Sequence, residues 1–142
     1  MLATSKSDVL TSLRADILRM QGFKPGNNES LSALGPMAAA FPNATFPLGA
    51  IHEFVMDTNE TAAATSGFIS CLLTSLTQAE GVVLWIGKNA TSTKIFPPAL
   101  LSCGLKPERV LFVTVRNDKD ALWVMEEALK CGALTAVVAE MS

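Results

Sequence analysis

The chain has 142 residues, which is long enough for one domain with its own core, and 49% of them are hydrophobic. Only 6% are aromatic and none is tyrosine, so an α/β domain with buried parallel strands is favoured over a β-sandwich. Eleven Lys and Arg residues against 13 Asp and Glu residues give a formal net charge of −2. The sequence therefore lacks the basic character of a protein that binds DNA strongly without a partner.

Three cysteines and the N-terminus bear on the cellular compartment. Cys71, Cys103 and Cys131 lack the paired spacing of a zinc site or a disulfide framework, so we expect buried free thiols in a reducing compartment. The N-terminus has no apolar segment of signal-peptide length, and no apolar run reaches the roughly 18 residues that would cross a bilayer. These features predict a cytoplasmic protein that does not enter a membrane.

The first predicted element is an amphipathic helix within residues 1–21. Its apolar side chains recur at spacings of three and four, which places them in one stripe on the helix surface. A segment rich in Gly, Pro and Asn follows, and residues 22–45 are predicted to be a linker and lead-in. An α/β core is expected over residues 46–142. The stripe consists of Leu10, Leu13, Ile17 and Met20.

Short apolar segments alternate with helix-compatible segments through the core. Parallel strands require helical crossovers of this kind, and the crossovers are right-handed in nearly all proteins. The pattern predicts a three-layer α/β sandwich with a mainly parallel, four-stranded sheet. The expected strands are residues 50–55, 82–86, 110–115 and 134–139, and the expected helices are residues 61–79, 94–103 and 119–131.

The junction after the first expected strand, residues 55–68, is where a phosphate-binding loop would lie. Such a loop needs glycines for close backbone approach and a lysine for the β- and γ-phosphates, and this junction has neither at a useful spacing. Two of its residues are acidic and would repel phosphate. We therefore predict no ATP hydrolysis and no bound cofactor. The degenerate phosphate-loop region comprises Asp57, Thr58, Asn59, Glu60, Thr65, Ser66 and Gly67.

No catalytic or metal-binding set can be assembled from the remaining polar residues. His52 is the one histidine, and its neighbour Glu53 points to the opposite face of a strand, so a structural histidine is the favoured interpretation. Trp85 and Trp123 are interpreted as core or groove residues; an exposed Trp anchoring a protein partner is the alternative for a helical position. Glu140 ends the last strand, where nucleotide-binding sheets carry a magnesium-holding acid, and is interpreted as structural.

Four segments together resemble the ImuA family, RecA-like accessory proteins of bacterial damage-induced mutagenesis, and more distantly the cell-division inhibitor SulA. The resemblance covers residues 31–142, and its most specific part is the last segment. The segments are FPLGAIHEF (46–54), VVLWI (82–86), FPPALLSCGLKPERVLFV (96–113) and KDALWVMEEALKCGALTAVVAE (119–140).

The resemblance implies a RecA-like three-layer sandwich with an N-terminal helix, but one whose ATP site is degraded in three places. The phosphate loop is missing, Gly87-Lys88-Asn89 stands where a recombinase carries a catalytic Glu, and Glu140 stands where it carries an Asp. A non-enzymatic protein is therefore expected. The sheet of such proteins continues beyond the strand that ends at Glu140, so the chain is expected to be a fragment, or to protect its strand edges with a second copy.

By the same resemblance, the expected role is that of an accessory or scaffold protein in error-prone translesion DNA synthesis and SOS-type DNA repair. Its implied partners are an ImuB-like polymerase homologue and an error-prone polymerase. A SulA-like inhibitor of cell division and a weakly ATP-binding RecA-like protein are the alternatives. In recombinases the N-terminal segment docks on a neighbouring subunit, so the stripe from Leu10 to Met20 is a candidate self-association contact, with packing on its own domain as the alternative. Trp123 is a candidate partner contact.

Overall fold

The computed structural model describes residues 6–20, 32–41, 46–77, 80–88 and 97–141. The chain divides into two compact units, Met1–Phe54 and Val55–Ser142. Most of the predicted linker lies outside the described residues. None of the helices in the described ranges is both long enough and apolar enough to cross a bilayer.

The first unit contains helix α1 (Lys6–Met20) and a 3-10 segment (Ser32–Ala40). The 3-10 segment is kinked at Gly35, whose φ of 48° is accessible to glycine at little cost, and Pro36 follows directly. A small aromatic cluster lies beyond it. The ring of Phe46 is buried, contacts Phe41 edge to face at 5.2 Å between centroids, and stacks on the imidazole of His52 at 4.1 Å.

The second unit is built around a parallel sheet of three strands in the order β2-β1-β3. Strand β1 is central and pairs with both neighbours, in a register that places Trp85 beside Phe112 of β2 and Val138 of β3. In chain order the elements are α2 (Asn59–Thr77), β1 (Val82–Lys88), α3 (Pro97–Leu100), 3-10 turns at Leu101–Cys103 and Pro107–Arg109, β2 (Val110–Val115), α4 (Asp118–Leu129) and β3 (Leu134–Ala139).

Alternating side chains of β1 form a core on each face of the sheet, as the period of a strand requires. On one face, Val83 and Trp85 pack with Leu73 of α2 and with Leu100 and Leu105. On the other face, Leu84 and Ile86 pack with Val115 of β2 and with Ala121 and Ala128 of α4. The small alanines let α4 approach the sheet closely. These two cores confirm the predicted α/β architecture with helices on both faces of a parallel sheet.

Gly81 marks the tightest approach in this unit, where the end of α2 meets the start of β3. A Cβ at this position would lie 2.8 Å from the Cα of Thr77 and 2.6 Å from Oγ1 of Thr135. Thr135 is exposed, but the backbone of the buried Thr77 does not move aside easily. A residue with a side chain therefore does not fit between α2 and β1 without a shift of one element.

The predicted strand over residues 50–55 is wrong, and with it the count of four strands. Residues 51–57 lack regular secondary structure, and the described sheet has three strands. Ile51 and Val55 are 88% and 87% exposed. An apolar run of strand length does not show whether a neighbouring strand is available. Among the described residues, no strand pairs with this segment.

Candidate functional site: the carboxyl edge of the sheet and the exposed face of α4

The N-terminus of α2 is closed by its own threonines. Oγ1 of Thr58, the N-cap residue, accepts a hydrogen bond from the backbone N–H of Thr61 at 3.2 Å, and Oγ1 of Thr61 accepts one from the N–H of Thr58 at 3.0 Å. This is a reciprocal capping box with Thr in place of the usual Glu. A helix N-terminus binds anions through free N–H groups, and here the threonine hydroxyls already accept from the N–H groups of Thr58 and Thr61.

The same helix end is negatively charged. Oδ1 of Asp57 lies 3.2 Å from Oγ1 of Thr61, and the backbone N–H of Glu60, followed by the hydroxyl of Thr58, holds the pKa of the Glu60 carboxyl below its usual value. Both acids line an open surface depression together with Met56, Asn59 and Ala62. A phosphate group entering this depression would meet two carboxylates and few unpaired N–H groups.

A second group of charges lies at the carboxyl ends of β1 and β2, the edge where α/β sheets bind ligands. Nζ of Lys88, the last residue of β1, lies 2.6 Å from Oδ1 of Asp118 in the first turn of α4. Both side chains are half-buried. Lys88 is therefore used to hold α4 against the sheet, and its charge is already balanced by a carboxylate.

Glu140 follows β3 at the same edge and binds the sheet itself. Its backbone N–H donates to the carbonyl of Ile86 at 2.9 Å, and its Oε1 accepts a 2.8 Å hydrogen bond from Nε1 of Trp85. Trp85 is 1% exposed, so this indole N–H needs a partner within the protein. The acid that a nucleotide-binding sheet would use for magnesium serves here as the acceptor for a buried tryptophan.

Helix α4 presents apolar side chains to solvent. It begins at the N-cap Asn117, whose side chain accepts from the N–H of Asp120 at 2.9 Å. Its inner face packs on the sheet, while Leu122, Trp123 and Leu129 are exposed, Trp123 to 64%. The core interpretation of Trp123 is therefore wrong, whereas that of Trp85 is confirmed.

The polar side chains of α4 confirm a solvated surface. Nζ of Lys130 contacts Oε1 of Glu127 at 2.6 Å and Oε1 of Glu126 at 3.2 Å. These two carboxylates, Glu127 first, raise the pKa of Lys130 above its ordinary value. All three residues are exposed, so the contacts organise the surface and contribute little to stability.

The other predicted site residues fall in three places. Thr65, Ser66 and Gly67 lie inside α2 rather than in a loop, and the carbonyl of Ser66 accepts from the hydroxyl of Ser70 at 2.7 Å. His52 is bound structurally, with Nε2 2.8 Å from the carbonyl of Pro47. In α1, the stripe formed by Leu10, Leu13, Ile17 and Met20 is exposed.

The thiols differ from their predicted burial. All three cysteines are free, but Cys131 is exposed and only Cys71 and Cys103 are half-buried. The side chain of Cys71 hydrogen-bonds with that of Cys103 and, with burial, raises the pKa of the Cys103 thiol. Cys131 lies in the turn after α4, where its side chain does not reach either core of the sheet.

Sequence reasoning missed one residue, Thr61, and one contact, that of Trp85 with Glu140. Thr61 was hidden because the capping-box pattern is usually sought as Ser or Thr followed by Glu or Gln. The Trp85 to Glu140 contact joins residues 55 positions apart, and only the pairing of β1 with β3 brings them together.

Comparison with known proteins assigns the chain to a family. The chain is 34% identical over 103 residues to the protein named Protein ImuA from Caulobacter vibrioides strain NA1000 / CB15N, and equally to its counterpart in strain ATCC 19089 / CIP 103742 / CB 15. The chain belongs to the ImuA family. The match covers 70% of this chain and 41% of each relative, so the chain spans less than half the length of these ImuA proteins. No family model and no solved structure matches it.

Proposed function

We propose that this ImuA-family chain is a non-enzymatic accessory protein of damage-induced mutagenesis, which works in error-prone translesion synthesis by contacting other proteins. The observation that carries the proposal is the state of the sheet's carboxyl edge. Thr58 and Thr61 close the anion-binding end of α2, and Glu140 is held by Trp85. A scaffold protein would keep the fold but would not bind ATP at this edge.

The surface proposed for partner binding is the exposed face of α4. Tryptophan is enriched among the residues that dominate binding energy in interfaces, and a side chain that is 64% exposed has most of its area available for burial by a partner. Leu122 and Leu129 extend the apolar area beside Trp123, and the charges of Glu126, Glu127 and Lys130 border it. The partners that family membership points to are an ImuB-like polymerase homologue and an error-prone polymerase.

The direct test is a binding titration between the purified chain and an ImuB-like protein from the same genome. Trp123→Ala is expected to weaken binding by roughly tenfold to a hundredfold, since loss of such an anchor costs about 2 kcal/mol or more. Glu127→Ala, on the same helix and also exposed, is the matched control and should bind within about twofold of the unchanged chain. A Trp123→Ala variant that binds as tightly as the unchanged chain would remove Trp123 from the interface.

The stripe of α1 is the surface proposed for self-association. Leu10, Leu13 and Ile17 are exposed along one side of the helix, together with Met20. Replacing Leu13 and Ile17 by Asp should lower the association seen by light scattering if α1 is the contact. The same double replacement by Asp on the polar side, at the exposed Thr11 and Ser12, is the control. An unchanged oligomer in both variants would refute the role of α1.

A further inference from the structure

Two of the three thiols meet between α2 and the 3-10 turn that follows α3. Cys71 lies in the second half of α2, and Cys103 is the last residue of the turn. Their side chains are in hydrogen-bond contact, and both are half-buried and free. Partner binding through α4 or α1 makes no use of either thiol. Two thiols that touch each other and are open to solvent are a candidate site of oxidation.

One stripe of α2 fixes the position of Cys103. Gly67, Cys71 and Thr74 are spaced by four and three residues, so they lie on the same face of the helix. Oγ1 of Thr74 donates to the backbone carbonyl of Cys103 at 2.9 Å, and the thiol of Cys103 donates to the carbonyl of Gly67 at 3.8 Å. These contacts hold the backbone and the side chain of Cys103 on either side of Cys71. The meeting of the two sulfur atoms therefore follows from how the turn is bound to the helix.

The turn that carries Cys103 is itself well fixed. Gly104 has a φ of 83° and donates its N–H to the carbonyl of Leu101 at 2.9 Å. The N–H of Leu105 donates to the carbonyl of Leu100 at 3.0 Å. The two bonds together form a Schellman motif, with glycine in the left-handed position after Cys103. Leu100 and Leu105 are each 2% exposed and belong to the core on the α2 side of the sheet. Buried anchors thus hold Cys103 from both sides.

We propose that Cys71 and Cys103 form a reversible disulfide that ties α2 to this turn when a low-molecular-weight disulfide such as oxidised glutathione is in excess. The sulfur atoms of a disulfide are about 2 Å apart, so the contact between the two thiols has to shorten on oxidation. Rotation about the two Cα–Cβ bonds can supply this approach while both backbones stay in place. The inference does not depend on the proposed role in mutagenesis.

The bond forms by two thiol–disulfide exchanges. The thiolate of one cysteine attacks a sulfur of oxidised glutathione, whose S–S bond breaks; a mixed disulfide forms and one glutathione thiolate leaves. The thiolate of the other cysteine then attacks the protein sulfur of the mixed disulfide and releases the second glutathione. The two protein thiols lose two electrons and two protons, and the two glutathione molecules gain them. An excess of reduced glutathione reverses both exchanges.

Cys131 is a reference thiol within the same chain. It is exposed and lies in the turn after α4. Helix α4 packs on the face of the sheet opposite to α2, so Cys71 and Cys103 lie on the other side of the sheet from this helix. The first exchange can occur at Cys131, but neither of these thiols is placed to carry out the second. Oxidised glutathione should therefore leave Cys131 as a mixed disulfide.

Peptide mass spectrometry tests the pairing. The full chain is incubated with excess oxidised glutathione, alkylated and digested with trypsin, which places the three cysteines in separate peptides. The expected products are one peptide pair joined through Cys71 and Cys103, and glutathione on Cys131. Each of the variants Cys71→Ser and Cys103→Ser should instead keep glutathione on the remaining thiol of the pair. Stable glutathione on both Cys71 and Cys103 of the unchanged chain, or a bond that joins two chains, would overturn the proposal.

Moving the thiol along α2 tests whether the stripe decides the pairing. Cys71→Ser combined with Ser66→Cys keeps one thiol on α2 at another half-buried position, but off the stripe and in an earlier turn. The introduced thiol should carry glutathione and should not join Cys103. Circular dichroism checks that the variant folds like the unchanged chain. A disulfide to Cys103 that forms as readily from position 66 as from position 71 would contradict the proposal.

Thermal unfolding tests whether the bond fits the fold. The disulfide closes a loop of about 30 residues that contains the central strand β1, and closing such a loop typically stabilises a protein. With Cys131→Ser as the common background, oxidation should raise the melting temperature by roughly 10 °C relative to the same protein in reductant. Adding Cys71→Ser should remove this shift. A melting temperature that falls on oxidation would show that the bond distorts α2 or the turn, and would overturn the proposal.

Discussion

The indole Nε1 of Trp85 and the carboxylate Oε1 of Glu140 are 2.8 Å apart and join the central strand to the end of β3. Trp85 is almost fully buried. Glu140→Ala would leave the indole N–H without its partner and should lower the free energy of unfolding by about 1–3 kcal/mol. Glu140→Gln keeps an acceptor and should cost less. Urea unfolding followed by circular dichroism measures both, and equal losses would show that the hydrogen bond is not what Glu140 contributes.

The closed end of α2 predicts weak nucleotide binding. If ATP with magnesium binds no more tightly than about 1 mM, then 1 mM nucleotide adds at most about 0.4 kcal/mol to stability. A thermal melt should therefore shift very little. A titration with a fluorescent ATP analogue that returned micromolar affinity would contradict the assignment of this edge and support the weakly ATP-binding alternative.

The cap itself has a measurable contribution to stability. Thr58→Ala removes the oxygen that accepts from the N–H of Thr61 and should cost about 1 kcal/mol, the usual effect of losing an N-cap. Thr58→Ser keeps the oxygen and is the matched control. Denaturant midpoints of the two variants give the comparison, and a Ser variant as unstable as the Ala variant would argue against capping as the cause.

Two glycines of the second unit should respond in opposite directions to the same change. Gly81→Ala brings a Cβ to 2.8 Å from the Cα of Thr77 and should destabilise the sheet. Gly67 lies within α2 with nothing within 4 Å of an added Cβ, so Gly67→Ala should stabilise the protein by about 0.5–1 kcal/mol. Thermal unfolding of both variants, at matched concentration, measures the difference. A stabilised Gly81→Ala would mean that α2 and β3 are farther apart than described.

The thiols of Cys103 and Cys131 should react with iodoacetamide at different rates. The thiolate is the reactive form, and the hydrogen bond with Cys71 raises the pKa of Cys103. Cys103 should thus react slowly near neutral pH and faster as the pH rises, while the exposed Cys131 provides the accessible reference. Because the folded pKa is raised, the stabilisation from the protonated thiol is full below the unfolded pKa and is lost as pH rises through the folded value. Mass spectrometry resolves the sites, and a Cys103 rate at pH 7 equal to that of Cys131 would contradict the prediction.

In the second unit, hydrophobic periodicity correctly predicted the elements that have strands or helices to pack against. Strands β2 and β3 lie over the predicted residues, and α4 begins within one residue of its prediction. The same reasoning failed at residues 50–55, because an apolar run shows that a segment would gain from burial and not that a neighbouring strand exists to provide it. It also favoured a core or groove position for Trp123 over an exposed one, since composition does not reveal which side of a helix meets the sheet.

At the candidate site, the residue types that a phosphate loop needs could be looked for in the sequence, but the contacts between side chains could not. Residues 55–68 contain no lysine and a single glycine, Gly67, and Asp57 and Glu60 stood out as acids. The partners of Glu140 and Thr61 were not visible. The first depends on strand order, and the second on which side chain the backbone turns toward at a helix end.

The reciprocal threonine bonds at the start of α2 link anion binding at this helix end to the stability of the protein. A helix end has a fixed number of N–H groups, and each one bound by a threonine oxygen is no longer offered to a phosphate. Any substitution that reopened this end for an anion would remove a cap from α2. Anion binding at this end would therefore come with a loss of α2 stability.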